Sequence, residues 1–418
     1  MTTDSAADTA ADPAAGAAAD TAGTLQVTRG CPFAPPEQHM RLLREQPVAK
    51  VTLPTGHDAW VASRYQDIRT VLSDPRFTAD RRHPNAPRLV DQPEGQMSMS
   101  PLPKMMLEMD GAEHAQARRA VVGEFTVRRM AALRPRIQQI VDEHLDAMLA
   151  GPRPADLVEA LALPVPSLVI CELLGVPYTD HDFFQVNSAQ LLNRRATEQE
   201  RQHAVLELAI YLDKLITAKE QEPADDLLGR QIAKQREGGG VDRPALLSLA
   251  FLLLIAGHET TANMISLGTY LLLERPEVLA ELRAAPDRTA GAVEELLRYF
   301  TIAEFAMARV ALEDVELGGT VIPAGSGVLM LANAGNRDPE VFRDGDRFDL
   351  DRDDRSHLAF GYGPHQCLGQ NLARVELEIV FETLLRRVPG LRLAVPAGQL
   401  TFKDEAAVYG MHELPVTW

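Results

Sequence analysis

The chain reads as a mainly α protein with a minor β part, and three observations lead there. From Glu113 onward the apolar residues recur mostly at helical spacing. One run, Pro244 to Leu273, is apolar nearly all round, which means a helix buried through the middle of the molecule. The β-type segments are short and few.

Taken in order, residues 1–25 are dominated by Ala, Asp and Thr, with almost no large apolar side chain. Such a stretch cannot bury enough surface to order itself and is expected as a disordered tail. Gln38 to Gln46 reads as a short helix, and Val48–Leu53 and Ala59–Ala62 as two strands around Pro54-Thr55-Gly56. Gln66 to Leu72 is helical and stops at Ser73-Asp74-Pro75. Residues 82–104 hold five prolines and no periodicity, so a long loop is expected there. Thr289 to Phe300 is a second clear helix, followed by short strands around Val315–Leu317 and Val328–Met330.

A formal net charge of −17 weighs against nonspecific nucleic-acid binding, which needs a basic surface. Three cysteines (Cys31, Cys171 and Cys367) with no CxxC spacing fit a reducing cytoplasm better than a disulfide scaffold. The N-terminus lacks the basic start and apolar stretch of a signal peptide, and the most apolar run, Ala245–Gly257, is too short to span a bilayer. A soluble, cytoplasmic protein without membrane or nucleic-acid partners is expected.

Chemistry concentrates at Phe360-Gly361-Tyr362-Gly363-Pro364-His365-Gln366-Cys367-Leu368-Gly369. It places a thiol on a glycine-rich loop just before a helix-patterned run, where the first helical N–H groups and the dipole favour thiolate. Glycines at 361, 363 and 369 allow a tight turn and the close approach of a flat ligand. A thiolate under an open surface is what haem iron takes as its axial ligand. In the long helix, Glu259-Thr260 sets an acid beside a hydroxyl among apolar residues. A threonine there can bond back to a carbonyl and loosen the helix.

Phe360, Gly363, Cys367 and Gly369 resemble the signature of the haem-thiolate monooxygenases, the cytochrome P450 family. Ala256-Gly257-His258-Glu259-Thr260-Thr261, Glu295-Leu296-Leu297-Arg298 and His114-Ala115-Gln116-Ala117-Arg118 resemble further segments of that family in the expected order. The overall character is similar to its soluble actinomycete branch, which serves secondary metabolism and xenobiotic oxidation. The resemblance implies the cytochrome P450 fold, with 26–418 as one large catalytic domain carrying small sheets. It implies haem b on Cys367, O2 as co-substrate, and proton delivery by Glu259 and Thr260. His114, Arg118, Arg309 and His365 would contact the propionates, and Ala256, Phe360 and Gly369 would line the cofactor. Glu295 and Arg298, three apart on one helix face, would form a structural charge network with Arg347.

By family position, Met97, Leu253, Leu254, Ile302, Glu304 and Tyr409 would face the substrate. Met99, Met105 and Met106 are adaptable apolar neighbours in the same loop as Met97. Glu304 is an acid between Ala303 and Phe305, suited either to a polar substrate group or to solvent. The implied reaction is insertion of one oxygen atom into a C–H bond of a mid-sized apolar molecule: a polyketide or macrolide, a terpenoid, or a xenobiotic. Electrons would come from a ferredoxin and a separate NAD(P)H-dependent reductase, docking on a monomer near Arg119, Arg128 and Arg129. Alternatives are a haem-thiolate peroxygenase or coupling enzyme, a haem-binding protein without catalysis, and a zinc site at His357, His365 and Cys367. The last matches no common zinc spacing.

Overall fold

The computed structural model of the chain describes residues 21–89, 103–192, 196–404 and 406–418. Their helices are α1 (Glu37–Glu45), α2 (Tyr65–Ser73), α3 (Gly111–Val121), α4 (Val127–Ala150), α5 (Pro164–Leu174), α6 (His181–Leu192) and α7 (Glu198–Gln221). There follow α8 (Leu227–Glu237), α9 (Arg243–Glu274), α10 (Pro276–Ala284), α11 (Thr289–Phe300), α12 (Ala332–Gly335) and α13 (Gln370–Arg387). The strands are β1 (Val48–Thr52), β2 (Asp58–Ala62), β3 (Phe77–Thr78), β4 (Ala155–Asp156), β5 (Ala308–Ala311), β6 (Val315–Leu317), β7 (Thr320–Ile322), β8 (Gly327–Met330), β9 (Arg392–Leu393) and β10 (Pro415–Thr417). The molecule is helix-rich with small sheets, as its periodicity predicts.

The largest sheet has the order β1-β2-β8-β5-β3. Only the β2–β8 pair is parallel; β3 joins β5 with Phe77 opposite Ala311 and Thr78 opposite Val310. Pairing onto β1 starts at the Ala22 N–H, which donates to the Lys50 carbonyl at 2.7 Å. Residues 22–25, placed in the tail by their composition, are therefore held by the sheet edge.

Helix α9 is the axis of the main core. The Asp242 side chain caps it by accepting the Ala245 N–H at 3.0 Å, and Pro244 occupies its first turn. Its 32 residues are long and apolar enough to cross a membrane by length and composition, yet 56% of its most apolar window is buried inside the fold. It is a core helix. Gly257 lets α5 come close, because a Cβ there would sit 2.9 Å from Ile170 Cδ1.

Helix α13 crosses α9 through a buried carboxyl. Glu376 is 2% exposed and has the Thr261 hydroxyl as its hydrogen-bond partner; burial pushes its pKa up to about 8. A carboxyl whose pKa is raised on folding stabilises the fold below its unfolded pKa, near 4.3. That stability is lost as the pH rises through about 8. Glu376→Gln is therefore expected to melt at least ~2 °C higher than the parent at pH 8, with the gap closing toward pH 5. Thermal unfolding across that pH range checks it, and a pH-independent difference would count against a neutral Glu376.

Candidate active site

The loop before α13 is fixed by its own backbone. The Cys367 N–H donates to the Phe360 carbonyl at 2.8 Å, and Gly361 N–H to Leu358 at 2.9 Å. Gly363 has φ +71°, and a Cβ there would meet the Leu72 carbonyl oxygen at 2.9 Å, so α2 and the loop touch backbone to backbone. The Cys367 side chain is exposed to a cleft and at the same time desolvated by the protein around it. Burial pushes its thiol above the ordinary value, against the pull of the Gly369 and Gln370 N–H groups and of Arg118 and Arg374. The donors expected from the sequence are present, and desolvation of the sulfur works against them.

A cationic cluster lies beside this thiol. Arg118 donates to the Gln366 carbonyl at 2.7 Å. His114 and His365 stack with centroids 4.1 Å apart. Burial, then the charges of Arg309, His114 and Arg118, push His365 down to about 3, while Asp110 pulls the other way; His114 is lowered chiefly by burial. Both imidazoles are neutral at neutral pH. Arg309 is buried on β5 and pushed down to about 10 by burial. Arg81, which the sequence reading passed over, lies just beyond β3 beside β5 and donates to the Ala306 carbonyl at 2.8 Å. The carboxylate acting on these groups is chiefly Asp110, already bonded to the Thr78 hydroxyl and the Ala79 N–H. Guanidiniums outnumber carboxylates here, so the cleft is suited to anionic groups.

On α9 the Thr260 hydroxyl donates back to the Ala256 carbonyl at 2.9 Å, as its position in the sequence suggests. Ala256 is exposed halfway along this core helix, and Leu249, Leu252 and Thr260 are part-exposed at helical spacing on the same stripe. Leu253 and Leu254 instead turn into the main core, 8% and 1% exposed. The open stripe is thus one residue off the sequence expectation. Glu259 is buried and forms an ion pair with Lys403, whose Nζ also donates to Asn263 Oδ1 at 3.2 Å. Burial pushes Glu259 up, but Lys403 and then His258 outweigh it, so the carboxyl lies below its usual value. The acid and the hydroxyl, adjacent in sequence, face different surroundings.

Glu295 and Arg298 pair as expected, at 2.7 Å from both Nε and Nη2. Their third member is Arg352, not Arg347: Arg352 Nε is 3.1 Å from Glu295 Oε2. The Arg347 side chain is exposed, and Arg347 contributes its carbonyl, which accepts from Arg298 at 3.1 Å. Spacing could not choose among the arginines of this Asp- and Arg-rich loop.

Glu304 is neither a pocket nor a solvent residue. It is buried in an ion pair with Arg29 and accepts from Asn333 Nδ2 at 3.0 Å. Tyr409 is likewise engaged elsewhere: its ring lies 4.0 Å from the Arg29 guanidinium and its hydroxyl donates to the Pro32 carbonyl at 3.3 Å. Ile302 is buried, its carbonyl accepting the Tyr409 N–H at 2.9 Å. Met105 and Met106 are part-buried against the main core, and Met97 and Met99 lie outside the described residues. The expected docking arginines Arg119, Arg128 and Arg129 are all exposed, and Arg129 also binds the buried Glu124 at 3.0 Å. Among the described residues no group of three His, Cys, Asp or Glu side chains is placed to hold a metal ion, so the zinc alternative has no site there.

The cytochrome P450 family model matches residues 25–388, and the chain belongs to that family of oxygenating enzymes. It is 50% identical to pentalenic acid synthase of Streptomyces avermitilis over 93% of this chain and 96% of that one. It is 43% identical to the 20-oxo-5-O-mycaminosyltylactone 23-monooxygenase of Streptomyces fradiae, over 94% and 91%. Cytochrome P450 MoxA from Nonomuraea recticatena superimposes with a TM-score of 0.88 at 57% identity, covering 94% of this chain and 98% of that one.

The residues in the cleft fit a haem-thiolate group. The sulfur is accessible, the cationic cluster matches two carboxylates, and a Cβ on Gly369 would have no atom within 4 Å beyond the glycine and its chain neighbours. Replacing Arg352 by Ala would leave Glu295 its Arg298 pair but remove a charge-assisted hydrogen bond, at a cost of ~1.5–3 kcal/mol. Arg347→Ala leaves the accepting carbonyl intact and should stay within ~0.5 kcal/mol of the parent. Urea denaturation of both variants, with cofactor content, distinguishes the two assignments.

Proposed function

We propose that the chain, with 26–418 as its catalytic domain, is a haem b-dependent monooxygenase inserting one atom of O2 into a C–H bond of a mid-sized apolar metabolite. The observation that carries the reading is the accessible Cys367 thiol, held under two backbone N–H groups and facing the charges of Arg118 and Arg374, beside the cationic groups around His365. When bound, thiolate-ligated haem iron supplies the oxygen chemistry that amino-acid side chains lack. Arg118 and Arg309, with neutral His114 and His365 beside them, would hold its propionates. The Gly369 backbone leaves room for the ring edge, and Phe360 fixes the cysteine N–H.

Substrate would lie against the Leu249, Leu252, Ala256 and Thr260 stripe, which is apolar save for one hydroxyl. Reduction of O2 to product oxygen and water takes two electrons and two protons besides those of the C–H bond. Thr260 Oγ1 presents a hydroxyl at the cleft, and Glu259 is the neighbouring acid that would exchange protons with it once released from Lys403. Electrons would come from a ferredoxin and its NAD(P)H-dependent reductase. Exposed Arg119 and Arg128, with Val122 and Val127 45% and 71% exposed, form a basic, partly apolar corner. Asn371 ties that corner to the start of α13 through the Phe125 carbonyl at 3.0 Å, next to Cys367. A complementary acidic partner would gain mainly in encounter rate. Relatives named as a pentalenic acid synthase and a 20-oxo-5-O-mycaminosyltylactone 23-monooxygenase support a secondary-metabolite substrate, and three free cysteines suit a reducing cytoplasm.

The purified protein, reduced and exposed to carbon monoxide, should show a Soret band displaced far to the red, absent in Cys367→Ser. A normal band, or no haem, overturns the reading. In Lys403→Met, Glu259 loses its compensating charge and burial raises its pKa. The proton-donating form then persists to higher pH, and the alkaline limb of turnover should move to higher pH. An unchanged pH profile would remove Glu259 from the proton path.

A further inference from the structure

Glu294 and Glu295 are consecutive on α11, so about 100° of helix rotation separates them. Glu295 is engaged by Arg298 and Arg352. Glu294 is also buried, and it meets two side chains that belong to the cysteine loop and its helix. Arg374, in the second turn of α13, donates from Nε to Oε1 at 2.6 Å and from Nη2 to Oε2 at 3.1 Å, a bidentate pair. His357 brings Nε2 to 3.2 Å from Oε2, while its Nδ1 accepts the Ala359 N–H at 3.3 Å. The ring proton is therefore on Nε2 and is donated to Glu294. Burial pushes Glu294 up, but the hydrogen bonds from His357 and Arg374 hold it at about 2, so it is a carboxylate at working pH.

The guanidinium fixed this way lies 4.6 Å from the centre of the Phe360 ring, and the His357 ring centroid is 5.9 Å from the same ring. That is cation–π range for the arginine. Phe360 is the residue whose carbonyl takes the Cys367 N–H. Arg374 is also one of the two charges that favour the anionic form of the sulfur.

We propose that Glu294 is a positioning residue for Cys367: by clamping Arg374 and His357 against Phe360 it sets the cysteine loop and places one positive charge near the sulfur. Two adjacent acids then divide the work. Glu295 fastens the 345–352 segment, and Glu294 fastens the thiolate loop itself. The assignment rests on the haem-thiolate reading of the same site.

The test uses haem-loaded Glu294→Gln, Glu294→Asp and Arg374→Met beside the parent. Read out are the ferrous–carbon monoxide band, its rate of conversion to the ordinary blue-lying form, and the ferric–ferrous potential. In Glu294→Gln the red-shifted band should decay about tenfold faster, the equivalent of one lost charge-assisted hydrogen bond. Glu294→Asp should restore most of its lifetime. The potential should rise in Glu294→Gln, where Arg374 keeps its charge without a counter-ion, and fall in Arg374→Met, where that charge is gone. Parental lifetime and potential in both variants overturn the proposal. So do shifts of the two potentials in the same direction, which would mean general loosening of the loop. If Glu294→Gln does not retain haem, Arg374→Met decides alone, a parental potential there being the overturning result. A parent protein without the red-shifted band is a different failure, that of the haem-thiolate reading.

Discussion

Arg298 is the largest fully buried side chain among the described residues, and the architecture around the cleft follows from satisfying it. A buried guanidinium is costly unless its N–H donors find acceptors, and Arg298 finds one for each of its five. Glu295 takes two bonds at 2.7 Å, the Asn336 and Gly345 carbonyls take 2.7 and 2.8 Å, and the Arg347 carbonyl takes 3.1 Å. Meeting that demand pulls two separate stretches of chain, at Asn336 and at 345–347, onto α11. Asn336 carries the order onward: its Oδ1 accepts the Leu358 N–H at 2.7 Å, at the entrance to the cysteine loop, and its Nδ2 donates to Thr301 Oγ1 at 2.7 Å. Thr301 stands at φ +43° at the end of α11, a left-handed conformation costly for threonine and held here by that bond and by its own to the Arg298 carbonyl at 2.8 Å.

The cleft divides electrostatically along its elements. Near the cysteine, α3, β5 and the loop after β3 supply cations whose counter-charges are scarce, which readies that end for carboxylates. Along α9 the opposite holds: Glu259 is already neutralised by Lys403, and the stripe facing the opening is apolar. An anionic, flat cofactor and an apolar substrate are thus favoured at different places in one space, by charge at one end and by its absence at the other.

Much of the fold was legible because helical and alternating periodicities report burial directly. Helix α11 was bounded at Thr289 and Phe300 from pattern alone, and α9 within about a residue at each end. The two-residue strand β3 escaped, since Phe77-Thr78 has no period to show; only its pairing with β5 makes it a strand. At the site, the groups visible in sequence were those set by local spacing: Cys367 before a helix, Thr260 back-bonding four residues, Glu295 three before Arg298. The partners brought from far along the chain were not visible. Lys403 reaches Glu259 across 144 positions, and Glu304, which looked like a pocket acid, is claimed by Arg29 across 275.

The sequence by itself determined the class of fold, the thiol at a helix entrance and the acid–alcohol pair, because each depends on residues within a turn or two of one another. Tertiary structure alone decided that Arg352 rather than Arg347 completes the Glu295 network, that Leu252 rather than Leu253 shares the open stripe with Ala256, and that desolvation opposes the donors around Cys367. The physical reason is common to all three. A charge pair, an exposed face and a dielectric are properties of what surrounds a residue in space, and a local pattern carries no information about which distant segment will arrive there.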